Sequence, residues 1–385
     1  MTIPDETMQH EERFFSRTTY KPRFFEKVIL IALAIIALVS ISVFLSYYTV
    51  GTDFAVFYQV GNIINSSKGH NELVYNHTDF VYSVAVAYLF GFFALLPYHV
   101  AKAVFILINC VMYLAAIAMI LRFNKASGRW FAYPLAFSCL WLPFIQDIRL
   151  ANLDCILLFL VTLSALSAEK KQPTLSGFLL GIASVFKLFP IAIGMVMGLK
   201  NWRIFAVCIL TIGASLFTPG SLKWISGLSF ATNWEPGFTL PYLLLSHINI
   251  VYFIFYVSVI AGMTAWMCYR SRREANYLLL VAFAIPAVFL TMNMLEYQHL
   301  TLLAFSFVYL LTSSHKSNRL LLAGIILSFL MISSFFFLGI VNNHFIIDSV
   351  YQSKTALISF GLFVLWFALV ILKWPFLLRN PSFTR

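Results

Sequence analysis

Four short stretches of this sequence carry side chains that could move a proton or hold an anion. Asp53 stands in Gly51-Thr52-Asp53-Phe54, four residues past the end of a long apolar run. A partly desolvated carboxylate at a membrane surface can take a proton from a hydroxyl. Asp at the start of a helical pattern (Phe54, Phe57, Val60, Ile64) also suits an N-cap, so both readings stand. The stretch Gln146-Asp147-Ile148-Arg149-Leu150-Ala151-Asn152-Leu153-Asp154 packs five hydrogen-bonding side chains into nine residues, dense for a tight turn between membrane helices. It is either a hydrated turn with a local Asp–Arg pair or a place where the planar fork of Arg149 grips a phosphate. Lys187 lies in an apolar stretch from Gly177 and Gly181 to Pro190, with no carboxylate near it in sequence. An ionisable group at membrane depth costs at least ~2.5–3.5 kcal/mol on insertion scales and points to function unless it snorkels to the interface. Glu296-Tyr297-Gln298-His299 is the fourth stretch, and its histidine reads equally as packing residue or catalyst. Asn233, Trp234, Glu235, His344 and Asp348 are weaker candidates.

The elements that must hold these residues follow from composition. The 385 residues are 61% hydrophobic and 11% charged, with a mean hydropathy of +0.86. Soluble domains run at about 45–50% apolar and about 25% charged, so a soluble globular protein is excluded. Apolar runs such as Val28 to Leu45 and Leu320 to Ile340 match the ~20 residues of a membrane-crossing helix. The excess of 26 Lys and Arg over 15 Asp and Glu then reads as basic cytoplasmic loops, not as a nucleic-acid surface. The five cysteines sit inside apolar runs without metal-type spacing, which argues against a disulfide framework or a zinc site. The first apolar run follows a polar head and precedes no small-residue cleavage site, so a retained anchor is expected.

The positive-inside rule predicts an all-α polytopic membrane protein of about twelve transmembrane helices with both termini inside. A cytoplasmic segment 1–27 leads into a transmembrane domain 28–378, followed by a cytoplasmic tail 379–385. Crossings are expected near 28–49, 100–121, 130–146, 153–168, 174–187, 190–199, 204–218, 248–269, 276–291, 299–313, 320–341 and 354–373. The short pair around Lys187 and Pro190 could be a broken or partly inserted hairpin. The run Phe80 to Leu96 is at the short limit for a span, and crossing there would leave Arg122, Lys125 and Arg129 outside. Residues 50–99 therefore read as one external loop whose helices lie in the interface. This arrangement puts twenty Lys and Arg inside, a net charge of +13 there against −2 outside. All four candidate stretches then fall on the outer face, where an external acid and two cations in apolar surroundings suit a lipid phosphate donor. No Gly-rich phosphate loop is present, which disfavours a nucleotide-dependent reaction.

Over roughly residues 28–315 the pattern resembles a GT-C glycosyltransferase, specifically glycosyltransferase family 87, the polyprenyl-phosphate-mannose-dependent α-mannosyltransferases. The carriers are Asp53 after the first helix, Gly69 to Tyr75 and Tyr82, Ala151-Asn152-Leu153-Asp154, the Gly177-Gly181-Lys187-Pro190 segment, and His299. Tyr82 lacks the prolines that usually follow it, and Ala151-Asn152-Leu153-Asp154 replaces the usual Gly-Gln-x-Asn. The resemblance implies a GT-C-like bundle with interfacial helices in the first external loop. It implies inverting transfer of a hexose, mannose first, from a polyprenyl-phosphate donor to a lipid or glycan acceptor on the non-cytoplasmic face of the plasma (inner) membrane. Asp53 would be the catalytic base and Arg149 and Lys187 the donor-phosphate ligands, while Tyr82, Asn152, Asp154, Glu296 and His299 would position donor or acceptor. No metal or other cofactor is expected. The alternative is a transporter or flippase of a lipid-linked or polar substrate, which broken helices near Lys187 would suit.

Overall fold

In hydrocarbon a chain this apolar can satisfy its backbone only by helices or a closed barrel. The computed structural model is helical, with no strand among the described residues, which are 52–66, 80–221, 240–244, 249–272, 276–292, 296–313, 319–341 and 357–370. The expected first crossing at 28–49, both terminal segments, Gly69, Tyr75, residues 233–235, His344 and Asp348 lie outside them. The longer helices are α1 (Thr52–Ser66), α2 (Val84–Phe93), α3 (Tyr98–Phe123), α4 (Arg129–Cys139), α5 (Leu142–Leu150), α6 (Asp154–Glu169) and α7 (Pro173–Phe186). They continue as α8 (Pro190–Gly198), α9 (Trp202–Ser215), α10 (Ile250–Ser271), α11 (Tyr277–Thr291), α12 (Leu303–Ser313), α13 (Arg319–Val341) and α14 (Leu357–Val370).

Among the described residues α3 and α10 are long and apolar enough to cross a bilayer alone. The pair α4–α5 adds a third span if taken together, bent by 45°. Helix length by itself therefore does not return twelve crossings. The expected single helix over 130–146 is broken at Leu140–Trp141, because Pro143 has no N–H to continue the ladder and Trp141 is extended (φ −68°, ψ 106°). The apolar run from Phe80 yields only the ten-residue α2, which at 1.5 Å per residue is about 15 Å long, half the hydrocarbon thickness.

The centre of the bundle is α6 and α11, which pack on each other. Eleven of the sixteen residues of α6 and thirteen of the fifteen of α11 are buried. Around them stand α3 and α7 on one helix and α8, α10 and α12 on the other. The two ends of this core differ. At one end Glu169 accepts from the backbone of Tyr277, Asn124 donates to Thr312 (2.6 Å), and Lys200 lies 4.7 Å above the Tyr277 ring. Lys125, Lys170, Lys171 and Lys200, all assigned to the cytoplasmic side by the charge count, belong to this end. The candidate site residues gather at the other.

Two glycine contacts set how closely the helices that carry the site approach. A Cβ on Gly181 would sit 2.4 Å from Thr211 Cβ, and one on Gly177 2.4 Å from the Ile204 carbonyl oxygen, so the Gly177-x-x-x-Gly181 face lets α7 lie against α9. Gly61 does the same for α1 and α2, where a Cβ would fall 2.2 Å from the Phe90 carbonyl oxygen. Because that neighbour is backbone, Gly61→Ala is expected to push α2 off α1 and destabilise the protein by about 1–3 kcal/mol. The thermal unfolding midpoint in detergent measures this, and an unchanged midpoint would show that the two helices separate freely.

Candidate active site

The position of Asp53 is set by its neighbours in α1. Phe54 and Phe57 are buried against Phe90 and Phe105, with Phe57 and Phe90 stacked at 4.4 Å. That aromatic anchor orients the first turn of α1, and the Asp53 carboxylate meets the turn between α5 and α6. Its Oδ2 accepts a hydrogen bond of 2.6 Å from Asn152 Nδ2, and its Oδ1 accepts a longer one, 3.4 Å, from the Thr52 hydroxyl. Neither is the capping bond to its own helix that an N-cap Asp would make.

The α5–α6 turn is short and closed. Ala151 adopts the left-handed conformation (φ 52°, ψ 57°), which reverses the chain and lets Asn152 N–H donate to the Asp147 carbonyl (3.0 Å). Asp147 is fully buried, and its side chain accepts from the backbone N–H of Cys155 (3.0 Å) and of Asp154 (3.4 Å). Asp147 thus caps α6 from the preceding helix. The site lacked any sequence signal for this, since a cap seven residues before the helix falls outside the usual N-cap pattern. Arg149, half-buried in the last turn of α5, leaves that helix about 200° round from Asp147, two residues earlier.

Lys187 follows the last residue of α7 in an extended conformation (φ −142°, ψ 135°), because Pro190 prevents the helix from running on. Its ammonium pairs with Asp154 Oδ2 at 2.8 Å, the two side chains 8% and 0% exposed. The pairing suits both helix ends, a cation at the C-terminus of α7 and an anion at the N-terminus of α6. Lys187 therefore does not snorkel; its partner is 33 residues earlier in the chain.

The fourth stretch forms a 3₁₀ turn, Tyr297–Leu302, in place of the first part of the helix expected from 299. The Glu296 backbone N–H donates to His299 Nδ1 (3.2 Å), and Glu296 Oε2 lies 3.4 Å from His299 Nε2 and 2.5 Å from Gln298 Nε2. The turn is tied to α5 by the Trp141 indole, which donates to the Leu300 carbonyl (3.1 Å). Phe189, unremarked in the sequence, faces His299 with ring centroids 6.2 Å apart.

These pieces meet around Lys187, whose charge reaches Asp53, Tyr82 and His299. Burial pushes the Asp53 carboxyl up from the ordinary value of 3.8; Lys187, Asn152 and Thr52 pull it back, and Asp154 adds to the rise. Tyr82, wedged beside Phe57 (5.3 Å between ring centroids), is raised by burial, against the pull of Lys187. Seven of the eight candidate residues thus share one end of the bundle through bonds or charge: Asp53, Tyr82, Asn152, Asp154, Lys187, Glu296 and His299. Arg149 belongs to the same α5–α6 turn region. All five cysteines are free, and no group of three or more His, Cys, Asp or Glu among the described residues could hold a metal.

The arrangement offers a carboxylate for proton abstraction, a cation for a phosphate and a polar rim for a sugar. No curated protein matches the sequence. Residues 80–230 match the sequence model of glycosyltransferase family 87, a stretch that runs from the segment before α2 past α9 and holds Tyr82, Arg149, Asn152, Asp154 and Lys187. By that match residues 80–230 are similar to glycosyltransferase family 87, and the protein is a membrane glycosyltransferase.

Proposed function

We propose that the protein transfers a hexose, mannose first, from a polyprenyl-phosphate donor to a lipid or glycan acceptor on the outer face of the plasma (inner) membrane. Twelve helices cross the bilayer in this reading, and residues 50–99 form an external loop whose helices lie in the interface. The observation that carries it is the direct bond between Asp53 and Asn152 in the turn that also supplies Asp154 to Lys187. A base and a phosphate-binding cation are then held by one structural unit.

Asp53 deprotonates the acceptor hydroxyl as its oxygen attacks the anomeric carbon. The carbon–phosphate oxygen bond breaks, the configuration inverts, and the electron pair leaves on the lipid phosphate. That phosphate is stable as an anion, so no general acid is needed. An ammonium has three donors, of which Asp154 takes one; among the described residues the other two on Lys187 are left for phosphate oxygens. Arg149 supplies a second cation, and Tyr82, Glu296 and His299 line the sugar. The reaction needs no metal.

The test is to supply membranes containing the protein with labelled polyprenyl-phosphate mannose. Label bound covalently to an acceptor with inverted configuration supports the reading, while label that crosses the bilayer on unchanged donor supports the transport alternative. The rate also carries a pH signature. Asp53 acts only when ionised, and burial raises its titration, so turnover falls as pH drops through a value above the ordinary 3.8. A rate–pH profile flat down to that ordinary value would contradict it.

A further inference from the structure

The two oxygens of Asp53 are not equivalent, and Asn152 is the reason. The Asn152 side chain is itself fixed: its Oδ1 accepts from the Leu153 backbone N–H at 2.6 Å. A backbone N–H can only donate, so the amide cannot turn over without losing that bond, and Nδ2 must face Asp53. Nδ2 holds Asp53 Oδ2 at 2.6 Å, while among the described residues Oδ1 receives nothing stronger than the Thr52 hydroxyl at 3.4 Å. Asn152 is 1% exposed, and its backbone is locked by the Asp147 carbonyl and by left-handed Ala151.

We propose that Asn152 is a positioning residue that holds Asp53 Oδ2 and leaves Oδ1 as the atom that takes the acceptor proton. It acts through the base, not on donor or acceptor. The inference rests on Asp53 being the base. The reason the position wants an amide is plain: an aspartate there would keep the Leu153 bond but set oxygen against oxygen. Among the described residues, the charged and titratable groups around Asp53 are Lys187 from the α7–α8 break, Asp154 from α6 and Tyr82 from the segment before α2. None of them replaces the Asn152 donor.

The experiment compares Asn152→Ala, Asn152→Asp and Asp53→Asn in purified enzyme with polyprenyl-phosphate mannose, recording kcat, donor KM and the rate–pH profile. With Asn152→Ala, kcat is expected to fall about tenfold to a hundredfold, the cost of a misplaced reacting group. Donor KM stays unchanged, and the acid limb moves to higher pH because a bond favouring the ionised carboxylate is gone. Asn152→Asp, which keeps the turn's own bond and so the fold, falls further at neutral pH. A rise in KM with kcat intact would make Asn152 a substrate contact and overturn the inference. A wild-type kcat and profile in Asn152→Ala, with Asp53→Asn inactive, overturns it while leaving the base intact. Turnover retained by Asp53→Asn overturns the base reading itself. Loss of folded protein in both Asn152 variants assigns the residue to the turn alone and overturns it too.

Discussion

Asp53→Asn is expected to abolish sugar transfer while leaving the protein folded. General base catalysis contributes roughly 10²–10⁴ in rate, and an amide cannot supply it. The substitution is isosteric, and the new side-chain oxygen can still accept from Asn152, so the α1 contact with the α5–α6 turn survives. It also removes a charge that burial disfavours, which leaves stability equal or slightly higher. Initial rates with lipid-linked mannose, alongside thermal unfolding of the same preparation, measure both effects. Turnover within about tenfold of wild type in a well-folded variant would remove Asp53 from the role of base, given that range.

Lys187→Met is expected to damage both stability and turnover, for different reasons. The ammonium is paired with an Asp154 carboxylate that has no exposure, and Asp154 Oδ1 has no hydrogen-bond partner among the described residues. Removing one member of a buried pair strands the other, at a cost of about 3–5 kcal/mol. The double variant Lys187→Met with Asp154→Asn removes the stranded charge and should recover most of that stability. It should not recover activity, because the phosphate has lost its cation. Thermal unfolding and transfer rates of the two variants separate these effects. Equal activity of the double variant and wild type would make the pair a purely structural one.

The helices were largely legible in the sequence, since long apolar runs report their own hydrogen-bonding needs. The expected spans near 153–168, 174–187, 190–199 and 276–291 fall within two residues of α6, α7, α8 and α11. The break between α7 and α8 was visible too, because Pro190 acts on its own neighbours. The kink before Pro143 was equally local but was hidden in an apolar run that reads as one span. Less of the site was legible. Asp53, Lys187 and His299 stood out by being charged or polar in apolar company, yet the partners that define them are distant. Lys187 and Asp154 are 33 residues apart, and Asn152 and Asp53 are 99. Asp147 was present in the sequence as one more turn residue, and only its burial under the N-terminus of α6 makes it a cap.

Composition and the order of apolar runs determine that this chain is a helical membrane protein, because backbone groups in lipid leave few alternatives. Residue type determines which side chains are too polar for their surroundings. Pairing is a different matter: a hydrogen bond is satisfied within about 3 Å, and one-dimensional order does not encode which helices come that close. The fit of glycine faces on α1 and α7 and the aromatic packing under α1 decide that. They bring Asp53 Oδ2 against the Asn152 amide, near a lysine already joined to its own acid.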